Sequence, residues 1–328
     1  MEPKALVLMY HRVAKLDPDV WNLGVSPEHF EEQLQLLSSK WRVIPLPDLT
    51  DDILANRLRR NCIALSFDDG YIDNFLEAKP LLEKYKLPAT FFVSSGNIGQ
   101  QTAFWWDVLE QVFLHMEPLP PAFNMPLKNT LISVELTAEQ YLTESIKEQH
   151  RQWKAYVQPP PTARARLFLR VWEVLRPLPH SEQQECLGMI MDWAGAAANS
   201  CSHCLSHSMS REQLQELSNN RLFCLGGHSV SHPDLAAHIT PVQRQEILQN
   251  KQFLEEVSQK QVRTLAYPYG SYNSETMAVA AEAGFTAAFT TDQRVITPGS
   301  DPFRLGRFLV GNWPAEELHH HMKQWLKT

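Results

Sequence analysis

Short apolar runs alternate with stretches of helical periodicity through the first third of the chain, and again through the last. Ala5 to Met9 is an unbroken apolar run of strand length, as is Cys62 to Phe67 but for Ser66, and Ala89 to Val93 is a third strand, rich in β-branched and aromatic residues. Between the first two, Ser26-Pro27-Glu28 places a capping serine before a proline at the first helical position. That predicts a helix through Phe30, Leu34 and Leu37. Another helix is expected after Asp68-Asp69-Gly70, reaching about Tyr85. In the last third, Leu222 to Leu225, Thr264 to Tyr267 and Phe285 to Thr290 read as strands. Pro241 to Val257 and Asn273 to Ala283 read as helices, the second closed by Gly284. Strands and helices alternating in this way imply an α/β fold with a parallel sheet or barrel.

The middle departs from this rhythm. From about Trp105 to Asn199 the strand signal shrinks to Leu131-Ile132-Ser133-Val134. Helical patterns fill Trp105 to His115, Ala138 to Tyr156, Ala163 to Leu175 and Glu182 to Ala197, punctuated by proline clusters. The expectation is one domain over residues 1–328 carrying a mostly helical insertion at 105–209. The remainder, about 220 residues, is a fair size for one compact barrel.

Composition narrows the classes. In 328 residues, 30 Lys and Arg stand against 37 Asp and Glu, a net charge of −7 that argues against nucleic acid as a partner. No apolar run approaches the roughly 20 residues of a transmembrane helix. The opening run of five apolar residues gives way at once to Tyr10-His11-Arg12, too short for an export signal. Five scattered cysteines suit a reducing compartment, so cytoplasmic residence is expected.

Three motifs at strand ends could carry chemistry. Side chains of Asp68 and Asp69 diverge on an extended strand, so they can share a site only if the chain turns, which Gly70 permits. A bare Asp-Asp-Gly is more often a solvated acidic turn, but catalytic groups of βα barrels lie at the C-terminal ends of strands. His228 and His232, at i and i+4, lie on one face of a helix or tight turn and can reach one metal ion. With Asp69 they form a two-histidine, one-carboxylate set that leaves positions open for water and substrate. Ala266-Tyr267-Pro268-Tyr269-Gly270 alone reads as a proline turn. Three further features receive the plainer reading. Cys201-Ser202-His203-Cys204 with His207 lacks a second cysteine pair and reads as a loop rather than a zinc site. Phe104-Trp105-Trp106 is expected to pack in a core rather than line a sugar groove. His319-His320-His321 is expected on an exposed helix face.

Taken jointly and in this order, Ser66-Phe67-Asp68-Asp69-Gly70, His228-Ser229-Val230-Ser231-His232 and Pro268-Tyr269-Gly270 resemble the signature motifs of the polysaccharide deacetylases. This is the carbohydrate esterase group that includes chitooligosaccharide and peptidoglycan deacetylases. The likeness extends to Leu8 through Val13, Ala89 through Val93 and the Arg307 region. It implies a distorted TIM-like (β/α)7 barrel. It also implies that Asp68 is the base activating the attacking water, and that Asp69, His228 and His232 hold a divalent metal. Zinc is the first expectation, with cobalt, nickel or iron as alternatives. Tyr269 would lend its backbone N–H to the oxyanion. Two departures stand out. The arginine that orients the base in the family is replaced by Ala266, which leaves Arg307, or less favourably Arg263, to take its place. The family's C-terminal Leu-x-His acid is missing, but a subgroup opening with Tyr-His uses that histidine as the acid, and His11 matches it. The implied activity is removal of N-acetyl groups from an N-acetylated sugar in a glycan, oligosaccharide or lipid-linked precursor. Deformylation or another amide cleavage is the alternative within hydrolases, and a non-catalytic glycan-binding barrel the alternative outside them. The intact Asp68, Asp69, His228 and His232 favour the enzyme.

Overall fold

The computed structural model describes residues 3–100, 102–195 and 207–327. The chain divides into two compact units, one of residues 1–15, 23–100 and 208–328, the other of residues 16–22 and 101–207.

Among the described residues the main sheet of the first unit has eight strands; the short Arg42–Val43 pairs parallel beside Cys62–Phe67, and the other seven form one path: β1 (Ala5–Tyr10), β2 (Cys62–Phe67), β3 (Ala89–Val93), β4 (Phe223–Gly227), β5 (Thr264–Ala266), β6 (Ala287–Phe289) and β7 (Phe308–Leu309). Their order is β6-β5-β4-β3-β2-β1-β7 and every pairing is parallel. A lone parallel bridge from Phe289 to Leu305, just ahead of β7, brings the two ends of the order together. The sheet is therefore a curled, distorted (β/α)7 barrel. β1 and β2 pair in full register, Ala5 opposite Cys62 through Tyr10 opposite Phe67.

Strand alternation separates two sets of side chains. Leu6, Leu8, Tyr10, Ile63, Leu65 and Phe67 join the large buried cluster packed against the helices. Ala5, Val7, Cys62, Ala64, Phe92 and Ala266 join a second buried cluster on the other face. Ser66 and then Asp68 continue that second face, so β2 delivers the first aspartate inward at its C-terminal end. The helices are α1 (Pro27–Lys40), α2 (Leu46–Leu54), α3 (Lys79–Tyr85), α4 (Arg211–Asn219), α5 (Thr240–Ser258), α6 (Ser274–Glu282) and α7 (Ala315–Trp325). Ser26 caps α1 by accepting from His29 N at 3.2 Å, and a π-helical turn, Asn74–Ala78, precedes α3. Of the three histidines on α7 only His320 is exposed. His319 lies edge-on to Trp41, and His321 stacks on Trp325, so two of the three histidines pack where an exposed face was expected. Among the described residues no helix is long and apolar enough to cross a membrane.

The second unit carries helices at Trp105–Glu110, Glu144–Gln152, Ala163–Leu175 and His180–Ala194. The expected helix from Ala138 to Tyr156 is shorter because Thr143 caps a new start, accepting from Ile146 N at 3.3 Å. Leu131 to Val134 does form a strand, Thr130–Glu135, but it pairs antiparallel with Ala122–Leu127, which the proline at 126 conceals in the sequence. In a two-stranded ribbon each strand is an edge, where a proline is tolerated, and the Pro126 side chain is exposed while Phe123, Met125 and Leu127 are buried. Trp105 and Trp106 are buried, as core packing requires. Cys201, His203 and Cys204 lie outside the described residues.

Candidate active site

The end of β2 turns as the two aspartates need. Asp69 takes a left-handed φ of 74° and Gly70 one of 88°. A Cβ at Gly70 would lie 2.9 Å from Val93 Cγ1, so only glycine fits without displacement. The turn rotates Asp69 away from the strand direction while Asp68 keeps its inward course.

Asp68 is held by Arg307. The guanidinium donates Nη1 to Oδ1 at 2.6 Å and Nη2 to Oδ2 at 2.7 Å, while Nε donates to Thr290 O at 3.1 Å. Both residues are buried. Burial alone would raise the Asp68 carboxyl; the charge and hydrogen bonds of Arg307, together with the nearby His228 and His11, outweigh it and hold Asp68 below its ordinary range. Arg307, at the entry to β7, is thus the arginine that reaches Asp68. Arg263 does not reach the site and pairs with Asp51.

Asp69 meets the two histidines. Its Oδ1 lies 3.4 Å from His228 Nε2 and 3.3 Å from His232 Nε2. One ligand atom from each of the three residues falls within 4.8 Å of the others. Asp69 Oδ1 is buried without a hydrogen bond of acceptable geometry. His228 Nδ1 lies 2.8 Å from Ala266 O, and a carbonyl only accepts, so Nδ1 carries the proton and the Nε2 lone pair of the neutral ring faces Asp69. A buried, unsatisfied carboxylate oxygen converging with an oriented imidazole is what a divalent cation needs, and the donor set fits one. Burial opposes charge on Asp69, yet the two imidazoles hold it well below its ordinary range. Burial also opposes charge on His228, but Asp68 and Asp69 raise it, whereas His232 is lowered by its burial.

The His228–His232 segment is a loop rather than a helix. Ser229 and His232 both have left-handed φ, 63° and 56°. Such backbone costs about 1–3 kcal/mol per residue and persists only where the surroundings enforce it. Here α5 enforces it. Asn250, fully buried, accepts from His228 N at 3.0 Å and donates to Ser229 O at 2.5 Å and Val93 O at 2.9 Å. One turn earlier, Glu246 accepts from Val230 N and Ser231 N, both at 2.8 Å, and from Ser231 Oγ at 2.7 Å. Neither residue stands out in the sequence. Their i, i+4 spacing on a helix beginning eight residues after His232 is the only signal that could have found them.

Tyr269 closes the arrangement. Its φ is 57° and its ring lies edge-on to His232 at 4.4 Å between centroids. The following Gly270 also has positive φ, and its N–H donates to Tyr267 O at 2.8 Å. His11, immediately after β1, places Nε2 3.9 Å from Asp68 Oδ2. Burial keeps it below the ordinary imidazole range despite the Asp69 and Asp68 carboxylates. The structure therefore brings together all seven residues singled out in the sequence: His11, Asp68, Asp69, His228, His232, Tyr269 and Arg307.

Comparison with known proteins points the same way. Residues 55–116 and 189–288 match the family described as polysaccharide deacetylase. A poly-β-1,6-N-acetyl-D-glucosamine N-deacetylase of Staphylococcus aureus is 20% identical over 337 aligned residues, covering 99% of this chain and 83% of its own. Among solved structures, the Streptococcus pyogenes deacetylase PplD in complex with acetate superposes with a TM-score of 0.60 and 19% identity. That match covers 98% of this chain and 99% of PplD. IcaB from Ammonifex degensii gives a TM-score of 0.59 and 20% identity, covering 99% and 98%. At these identities the structural likeness speaks for the fold.

Proposed function

Because the chain belongs to the polysaccharide deacetylase family, we propose that it is a metal-dependent hydrolase that removes N-acetyl groups from an N-acetylated glycan or glycan precursor. The observation that carries this reading is Asp69 Oδ1, buried and unsatisfied between two imidazoles, next to a carboxylate clamped by Arg307.

Asp69, His228 and His232 would hold the cation. The chemistry a bound divalent cation supplies is Lewis acidity, polarising the acyl carbonyl and lowering the pKa of the attacking water. Asp68 takes the proton of that water. The two Arg307 bonds fix the carboxylate plane, and His11 Nε2 lies 3.9 Å from its Oδ2. Tyr269, bent into the left-handed region, presents its backbone N–H to the oxyanion. His11 gives a proton to the departing nitrogen. The burial that keeps it below the ordinary imidazole range makes its protonated form a stronger acid. Zinc is the first candidate for the cation, followed by cobalt, nickel and iron.

The S. aureus relative's named substrate makes N-acetyl-D-glucosamine oligomers the first probe. Acetate release is expected from the metal-loaded protein and lost after chelation. Asp68→Asn should abolish turnover with metal content near that of the wild type, whereas His228→Ala should lose the metal. An active Asp68→Asn protein, or undiminished metal occupancy in His228→Ala, would overturn the assignment. Formate release from N-formyl analogues with no acetate release would move the proposal to a different acyl group.

A further inference from the structure

The His11 ring is held by no short hydrogen bond. Its Nδ1 is buried without a partner and its Nε2 is 3.9 Å from Asp68. Its position must come from the backbone on either side, and two consecutive side chains grip that backbone. Asn74 Nδ2 donates to His11 O at 2.8 Å. Asp73 Oδ1 accepts from Val13 N at 3.0 Å and from Asn74 Nδ2 at 3.0 Å. Asp73 Oδ2 accepts from Arg12 Nε at 2.5 Å, and the Arg12 guanidinium lies over the Tyr71 ring, 3.9 Å from its centroid. Asp73 and Asn74 are fully buried and Arg12 is 4% exposed.

We propose that Asp73 and Asn74 are positioning residues that set His11 against Asp68. This inference rests on the reading of His11 as proton donor. Three features argue for placement over plain stability. A buried ion pair such as Arg12–Asp73 contributes little net stability compared with an apolar pair, so its retention calls for a geometric reason. The grip spans the residue of interest, taking the carbonyl of His11 and the N–H of Val13 two residues on. Asn74 also opens the π-helical turn Asn74–Ala78, and such turns occur mostly as local departures at functional sites. One seven-residue segment, 68–74, then supplies the base, a metal ligand and the support of the acid. The spacing between His11 and Asp68 is fixed by the same piece of chain that carries Asp68.

The test exploits the leaving group. An amide nitrogen must be protonated to depart, whereas 4-nitrophenolate leaves without help. His11→Ala is expected to slow acetate release from N-acetylglucosamine oligomers by about 10²–10⁴-fold, while 4-nitrophenyl acetate turnover stays within a few-fold of wild type. Asn74→Ala should show the same split at smaller size, about 10–100-fold in kcat on the amide, with KM little changed. Adding it to His11→Ala should cost nothing further on the amide. Where the alanine variant does not fold, Asn74→Asp, which keeps the size but faces the His11 carbonyl with an acceptor, is expected to give the same split. If His11→Ala slows both substrates alike, the proton-donor reading falls and this proposal with it. If His11→Ala shows the split but the Asn74 variants slow both substrates equally, or add to His11→Ala, the donor reading stands and the positioning role is refuted.

Discussion

Arg307→Met probes the most unusual dependence in the site, that of the proposed base, Asp68, on a side chain from the far end of the sequence. Arg307 is fully buried and, among the described residues, its one ion pair is with Asp68, bound through two nearly parallel bonds of 2.6 and 2.7 Å. Parallel charge-assisted bonds of this kind are the strong, orienting class. Methionine approximates the volume of the stem and removes the charge and the fork together. What remains is a buried carboxylate with its counter-charge gone, a change that costs about 3–5 kcal/mol. The kinetic loss follows from the same bonds. A well-placed base contributes about 10²–10⁴-fold, and an unclamped one forfeits much of it, so kcat/KM should fall by about 10²–10³-fold. Arg307→Lys restores a charge without the fork, and should recover part of the stability and little of the activity.

Urea denaturation and acetate release would be measured for Arg307→Met, Asp68→Asn and the double variant. If Arg307 acts through Asp68, the second substitution removes something already lost. The double variant should then be about as slow as Asp68→Asn alone, and more stable than the sum of the single losses predicts, since no bare charge is left facing another. Losses that add to within about 0.5 kcal/mol in stability and also multiply in kcat/KM would refute the argument, because independent sites add in this way.

Three further outcomes are expected. Asn250→Ala should release the left-handed His228–His232 loop and weaken metal binding about 10–100-fold in a chelator competition; unchanged affinity would show that the loop keeps its shape without α5. At Gly270 (φ 66°) an added Cβ would lie 2.2 Å from Thr291 Oγ1 and 2.9 Å from Thr291 N, so Gly270→Ala should lower stability by about 2–4 kcal/mol in urea denaturation, and a loss below about 0.5 kcal/mol would contradict it. Burial, aided by the Arg164 charge, lowers His150 to about 4, and its Nε2 lies 2.9 Å from Thr162 Oγ1. The unfolded chain therefore takes up the proton first as pH falls. The second unit should lose about 2 kcal/mol between roughly pH 6.5 and pH 4 after allowance for screening, and a His150→Gln protein showing the same acid limb would contradict this.

The barrel was legible in the sequence because its strands are buried on both faces. Cys62–Phe67 and Ala89–Val93 are apolar runs bounded by turns, and the structure reproduces both to the residue. The motif residues were legible for a related reason: each lies at the end of such a strand, where direction is set by the strand itself. The failures came where a polar or breaking residue carried two meanings. Pro126 argued against a strand that its place on an edge allows. His319 and His321 looked like the polar face of α7, yet their rings are flat and apolar enough to pack against tryptophans, His319 edge-on to Trp41 and His321 stacked on Trp325.

Asn250 and Glu246 failed to register for a deeper reason. A polar residue on a helix predicts exposure, and these are drawn inward only because the loop after β4 turns through two left-handed residues and exposes N–H groups that helix side chains must satisfy. That demand exists only once the loop has its shape, and the loop has its shape only once the demand is met. Arg307 belongs to the same kind. Its role depends on the bridge from β6 to Leu305, which brings the last stretch of chain back to β1. The chemistry of this site is written in short motifs, whereas its rigidity is distributed over supporting residues: Arg307, 239 positions from the Asp68 it holds, and Glu246 and Asn250, which hold the His228–His232 loop. The variants that separate the two are therefore the supporting residues, which should leave the ligand and base side chains in place and alter only how well they are held.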